Sequence, residues 1–314
     1  MSEIIMRLEH ITKKFPVAGG RTLTAVSDVS LKVRRGETVA IVGESGCGKT
    51  TLLKTIMNMQ QPTSGEIIFR GQDTTKLTGE AKRENYRHIQ MIFQDPTAAF
   101  NPKMKIKDII TEPLLNFDLI KPREVETKAA ELLAQVELTP DFIHRYPHNM
   151  SGGQRQRVAI ARALALNPEI IACDEATSAL DVSVQDTIIK LLVRLQQEQG
   201  ITYIFICHDL ALVSLFSHRV AVMYLGHIME KLDGDKMETA KHPYTQALLK
   251  AVFSTDNRKN EQIAILPGDI PSPLNIPAGC PFQNRCACKE TMCEQQKPEF
   301  KELEPNHFVA CHKV

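Results

Sequence analysis

Gly43-Glu44-Ser45-Gly46-Cys47-Gly48-Lys49-Thr50 fits the phosphate-loop pattern GxxxxGK[ST], and the strand-like run Thr38-Val39-Ala40-Ile41-Val42 leads directly into it. The glycines let successive backbone N–H groups turn inward without Cβ clashes. Lys49 then reaches the β- and γ-phosphates, and the Thr50 hydroxyl sits on Mg²⁺. Behind the loop, Thr51-Leu52-Leu53-Lys54-Thr55-Ile56-Met57 reads as a helix whose positive end faces the anion. Strand, loop and helix in this order imply a bound nucleoside triphosphate.

At 314 residues the length allows two domains, and 43% hydrophobic residues suffice for a sizeable core. A net charge of +1 gives no bulk electrostatic footprint for nucleic acid, so no nucleic-acid partner is expected. No apolar run approaches the ~18–20 residues needed to cross a bilayer, and residues 1–15 carry polar groups throughout. A cytosolic chain is expected, held at a membrane only by a partner.

Cys47, Cys173 and Cys207 are scattered, whereas Cys280, Cys286, Cys288, Cys293 and Cys311 crowd the C-terminal end. That contrast marks a separate unit. The turn-rich stretch Leu266-Pro267-Gly268-Asp269-Ile270-Pro271-Ser272-Pro273 reads as a linker. A boundary near Ser254 divides the chain into 1–254 and 255–314.

Residues 4–15 and 23–33 read as strands, and 89–93, 170–173 and 202–207 as short buried strands of parallel type. Each of the last three ends in a polar cluster, where open α/β sheets collect ligands. Between 112 and 166 the pattern turns helical, with apolar stripes over 123–138 and 154–166, and a helix over 182–199 is stopped by Gly200.

Ile170-Ile171-Ala172-Cys173-Asp174-Glu175 has the form of a buried strand delivering a carboxylate to the metal beside a phosphate loop. Asp174 would bind Mg²⁺, and Glu175 could polarise an attacking water as general base. Gln94 and His208 each follow a strand; capping or core roles are as compatible with spacing alone. Met150-Ser151-Gly152-Gly153-Gln154 opens a helix whose free N–H groups make a second phosphate-binding end.

The ordered set formed by residues 43–50, Gln94, Ser151-Gly152-Gly153-Gln154, residues 170–175, Ser178-Ala179-Leu180-Asp181 and His208 resembles the ATP-binding subunit of ABC transporters across roughly residues 4–235. The resemblance implies an α/β P-loop NTPase core of RecA-like type, with an antiparallel β subdomain, a helical subdomain at about 95–166 and a small Cys-rich C-terminal domain. It also implies two cassettes sandwiching two ATP molecules head to tail, each Ser151 loop capping the nucleotide on the partner's phosphate loop. Gly43, Glu44, Ser45, Gly46, Cys47, Gly48, Lys49, Thr50 and Thr51 would then cradle ATP, with Phe15 stacking on adenine, although a core role suits Phe15 equally. Thr50, Gln94 and Asp174 would serve Mg²⁺. Gln94 and His208 would sense the γ-phosphate, and Ser178-Ala179-Leu180-Asp181 would meet the partner.

Gln94-Asp95-Pro96-Thr97-Ala98-Ala99-Phe100-Asn101-Pro102, His242-Pro243-Tyr244-Thr245 and the tail with Gly279-Cys280-Pro281-Phe282, Arg285-Cys286 and Val309-Ala310-Cys311-His312 are similar to peptide-importer ATPases. This implies an ATPase serving di- or oligopeptide uptake, with a nickel or other small-solute importer, or a soluble ABC ATPase, as alternatives. A second ATPase subunit, like or unlike, two membrane-spanning permease subunits and an extracellular or periplasmic solute-binding protein are the implied partners. The implied location is the cytoplasmic face of the membrane. Four thiolates at Cys280, Cys286, Cys293 and Cys311 could hold Zn²⁺ or an iron–sulfur cube, and spacing alone decides neither. The resemblance implies a [4Fe-4S] cluster in at least some members, leaving Cys288 outside the set, with a zinc site, for which His307 and His312 are reserve ligands, and metal-free structural thiols as the alternatives.

Overall fold

The structure, a computed structural model, describes residues 3–253 and 271–314. The boundary expected near Ser254 and the linker residues 266–270 lie outside the described residues. The chain divides into two compact units, Met1–Leu77 with Phe205–Val314, and Thr78–Ile204.

The first unit holds an antiparallel sheet in the order Arg21–Arg34, Ile4–Val17, Ser64–Phe69, Gln72–Asp73. Its inner face is apolar, with Ile5, Leu8, Ile11, Val29 and Leu31 buried. Leu8 pairs with Leu31 and Phe15 with Leu23. The pairing shifts register around His10 and Asp28. Both have left-handed φ of 54°, and their side chains meet at 2.8 Å.

A second set of strands in this unit carries the phosphate loop. Lys301–Glu304, His307–Val309, His227–Asp233, Arg219–Tyr224 and Thr38–Val42 lie side by side in that order. Thr38–Val42 and Arg219–Tyr224 pair in parallel, and every residue of both is buried. A buried Arg219 is tolerated because Glu37, itself buried, binds its guanidinium, with Nε to Oε2 at 3.0 Å.

The C-terminal hairpin joins these strands, Glu230 standing opposite Val309. Glu230 is 0% exposed. Its carboxylate accepts the Lys241 N–H at 2.7 Å, the His242 N–H at 3.2 Å and His307 Nε2 at 2.8 Å. A buried carboxylate needs such partners. Glu230 thereby stitches together three segments distant in sequence. Removing it strands three polar groups, so Glu230→Ala is expected to lower unfolding free energy by about 3–5 kcal/mol, read from urea denaturation.

In the second unit Ile89–Ile92 and Ile170–Asp174 pair in parallel, Ile89 opposite Ile170. Helices Ile106–Asn116, Val125–Gln135 and Gly152–Leu164 pack together, and Ile106, Ile110, Leu114, Ala129, Leu133 and Ala161 on them are buried. The helix Val182–Gln199 starts on Asp181, whose side chain accepts the Val184 N–H, and stops at Gly200 with φ 68°. Thr202–Cys207, wholly buried, runs across the division between the units.

Burial pushes the imidazoles of both His227 and His242 down to about 4, below the ordinary 6.5; for His227 the nearby Lys297 adds to this. The unfolded chain therefore takes up protons below about 6.5 that the fold refuses. The stability they contribute is complete above that pH and falls until about 4. His227→Gln is expected to flatten the loss of urea stability between pH 6.5 and 4.

Candidate nucleotide site

Gly43 and Gly48 have φ of 153° and 107°, and a Cβ on either would lie 2.1 Å from a backbone oxygen, of Met223 and Ala25 respectively. Only glycine fits such an approach. Gly226 N–H donates to the Cys47 carbonyl at 2.8 Å, and Ser27 N–H to the Gly226 carbonyl at 2.8 Å, which fixes the loop on both sides.

Lys49 opens the helix Lys49–Ile56, and its buried ammonium donates to the carbonyls of Gly43 at 2.8 Å and Glu44 at 3.0 Å. It is thereby folded back over the loop. Cys47 is buried, and that burial raises its thiol above the ordinary range despite the adjacent Lys49. Phe15 is half-buried, with Lys13 Nζ 5.0 Å from its ring centroid. His208 is exposed just past Thr202–Cys207, and Asp209 after it caps the helix Leu210–Ser214.

In the second unit Asp174 ends a strand with every residue buried, and Glu175 follows with a left-handed φ of 47°. A non-glycine residue held there costs about 1–3 kcal/mol and persists only where surrounding contacts fix it. The fixing contacts are visible: Ser178 donates to the Glu175 carbonyl through both N–H and Oγ at 3.0 Å. Gln94, beyond the neighbouring parallel strand, donates from Nε2 to Glu175 Oε2 at 2.9 Å and to Ser178 Oγ at 3.4 Å. Gln94, Glu175 and Ser178 thus converge.

Ser151 caps the helix Gly152–Leu164. Its Oγ accepts the Gln154 N–H at 3.3 Å, while Gln154 Oε1 accepts the Ser151 N–H at 3.0 Å. A Cβ on Gly153 would lie 2.7 Å from Val184 Cγ1, and one on Gly152 would lie 3.4 Å from Leu180 Cδ2. Gly153 is therefore a packing requirement, whereas a Cβ at Gly152 would make only ordinary contact.

Sequence reasoning missed two residues on the phosphate loop. Tyr244 Oη accepts the Glu44 N–H at 3.1 Å, and Arg285 grips the Glu44 carboxylate at 2.7 and 3.0 Å. Both sat inside motifs read only as family markers; nothing local to either assigns it a partner.

The expectation of a metal on the C-terminal cysteines finds no support in the structure. Among the described residues no three of His, Cys, Asp or Glu form a group that could hold a metal ion. Cys280 and Cys293 are buried, Cys286 and Cys311 half-buried and Cys288 exposed, so the thiols sit at different depths. Burial drives Cys280 up to about 11 and raises Cys286 and Cys311, with neighbouring thiols adding to the rise. Cys280, Cys286, Cys293 and Cys311, with or without His307 and His312, thus show no arrangement that supports a [4Fe-4S] cluster or a zinc site.

Residues 26–178 match the ABC transporter family, and the fold is similar to two solved cassettes. One is the ATP-binding cassette MJ0796 in a dimeric post-hydrolysis state bound to ADP and Pi, with TM-score 0.66 and 33% identity, covering 73% of this chain and 98% of that one. The other is cbiO1 from Clostridium perfringens, part of the ABC transporter complex cbiONQ, with TM-score 0.67 and 26% identity, covering 79% and 96%. With the site above, they define an ABC ATP-binding cassette.

Residues 232–293 match the oligopeptide/dipeptide transporter C-terminal region. The oligopeptide transport ATP-binding protein AppF of Bacillus subtilis is 48% identical over 99% of this chain and 97% of its own length. OppF of Haemophilus influenzae, likewise an oligopeptide transport ATP-binding protein, is 45% identical over 99% and 98%. The chain belongs to this oligopeptide branch of the ABC transporter ATP-binding proteins.

Because Val184 is β-branched and cannot swing aside freely, Gly153→Ala is expected to cost about 1–3 kcal/mol by overpacking, seen as a lower melting temperature.

Proposed function

We propose that this chain is the ATPase subunit of an ABC importer that powers uptake of di- and oligopeptides. The observation that carries the reading is the Gln94–Glu175 hydrogen bond beyond the ends of two parallel strands, the second of which delivers Asp174. It puts a candidate base beside a candidate γ-phosphate sensor.

Gly43, Glu44, Ser45, Gly46, Cys47, Gly48, Lys49, Thr50 and Thr51 hold the phosphates, and Phe15 offers a half-exposed ring to adenine. Mg²⁺ prefers hard oxygen donors, and Thr50, Gln94 and Asp174 supply a hydroxyl, an amide and a carboxylate oxygen. When bound, it neutralises phosphate charge. Glu175 takes a proton from the attacking water, and His208 contacts the γ-phosphate.

Ser151, Gly152, Gly153 and Gln154 present their helix end to the nucleotide of a second cassette, like or unlike this one. Val182 is 82% exposed beside the 178–181 loop, as suits a face covered by a partner. Two membrane-spanning permease subunits receive the motion through the helical subdomain at about 95–166, and a solute-binding protein delivers peptide outside. No helix among the described residues is long and apolar enough to cross a membrane, which suits a peripheral subunit at the cytoplasmic face. The cassette is assigned to 1–254 and the peptide-importer-type segment to 255–314.

In the assembled transporter, Glu175→Gln is expected to retain ATP binding and to slow phosphate release by ~10²–10⁴-fold. Full turnover would remove Glu175 from the mechanism. Lys49→Ala is expected to weaken nucleotide binding itself, and unchanged affinity by titration would remove the phosphate loop.

A further inference from the structure

Arg285 lies between two of the C-terminal cysteines, yet its side chain is spent on the phosphate loop. The guanidinium meets Glu44 as a two-pronged pair at 2.7 and 3.0 Å, with only 5% of the Arg285 side chain and 22% of the Glu44 side chain exposed. Such forks fix orientation as well as charge. The arm that delivers Arg285 is itself held. Arg285 N–H donates to the Phe282 carbonyl at 3.0 Å, and the Phe282 ring packs on Tyr224 and Tyr244 at centroid separations of 5.3 and 5.2 Å. Tyr244 in turn accepts the Glu44 N–H, and the Glu44 carbonyl accepts from Lys49.

Glu44 therefore has all three of its polar groups engaged. Two of its four partners, Tyr244 and Arg285, come from the C-terminal part of the chain; the others are Lys49 and the Cys47 N–H. The Glu44 carboxylate belongs to the loop that must receive a polyphosphate. Unpaired, it would repel that anion in a half-buried setting where screening is weak. Paired with Arg285, its charge is cancelled. The same pairing holds the arginine firmly in its charged form.

We infer that Arg285 is a positioning residue for ATP: it neutralises Glu44 and braces the phosphate loop, so that the Cys-rich C-terminal segment sets the affinity of the cassette for nucleotide. The inference rests on the proposed reading of the phosphate loop as an ATP site.

The test uses the full chain assembled with its transporter subunits, with KM for ATP and kcat measured by phosphate release. Arg285→Ala is expected to raise KM about tenfold, the worth of one charged hydrogen-bonded pair, with kcat within about twofold. Adding Glu44→Gln to Arg285→Ala is expected to bring KM back to within about threefold of the parent, because the uncompensated charge is gone. A merely structural arginine would not be rescued by losing its partner. Arg285→Lys, which keeps the charge and loses the fork, is expected to fall between, at about threefold. A KM unchanged in Arg285→Ala, or one that Glu44→Gln fails to lower, overturns the inference. If Arg285→Ala does not fold, Arg285→Lys with the parent's KM overturns it equally. Lys49→Ala separates the two levels: loss of ATP binding there with a flat response at Arg285 sinks this inference alone, whereas intact binding there sinks the ATP reading beneath it.

Discussion

The first unit is organised by a steric constraint, the contact of the phosphate loop with two neighbouring backbones. With Gly43 against the Met223 carbonyl and Gly48 against the Ala25 carbonyl, there is no room for a single methyl group at either point. A loop of inward-facing N–H groups has little reason to hold its shape without ligand, since those donors repel one another and seek water. Here its path is set from outside by carbonyls of two strands remote in sequence. The parallel pairing of Thr38–Val42 with Arg219–Tyr224 is the condition for that wedge, because it brings Met223 and Gly226 to the loop. The buried Arg219–Glu37 pair secures the same two strands at their other end, where Val39 pairs with Arg219.

From the loop end of that pairing the C-terminal part of the chain is built on. Tyr224 closes its strand and packs on Tyr244 at a centroid separation of 4.8 Å, with Phe282 against both. Glu230, one strand further, ties the 241–242 turn and the last hairpin into the same body. The segment that distinguishes the oligopeptide branch from a bare cassette thus shares hydrogen bonds and core with the nucleotide-binding strands.

What the sequence disclosed was whatever is demanded locally. Glycines at forced positions announce the phosphate loop, and Asp181 with Gly200 brackets Val182–Gln199 at both ends. Two carboxylates after a four-residue apolar run announce Asp174 and Glu175. What stayed hidden depends on partners far along the chain. Arg219–Tyr224 is a fully buried strand that begins with an arginine, and its pairing partner Glu37 lies 182 positions away. Lys301–Glu304 is exposed and charged, so only its pairing with His307–Val309 makes it a strand. The Arg285–Glu44 pair spans 241 positions, and neither residue type signals it. The cysteine cluster was legible only in part: crowding in sequence does become proximity in the fold, since the thiols raise one another, but they lie at different depths and no three of them form a metal-holding group among the described residues.

In the second unit the residues proposed for hydrolysis and those proposed to face the partner's nucleotide belong to one packed piece. Ser178 pins the strained Glu175 from its carbonyl side. Two residues on, Leu180 lies beside Gly152, and Val184 lies so near Gly153 that a Cβ there would clash. Asp181 caps the helix that carries Val184. The chain from 175 to 184 is therefore a short span, with the proposed general base at one end and Gly152 and Gly153 packed near its other end. Packed interiors shift between discrete arrangements more readily than they bend. On the proposed reading, a displacement of Glu175 would reach the Ser151 helix end through these contacts, the end proposed to face the other cassette.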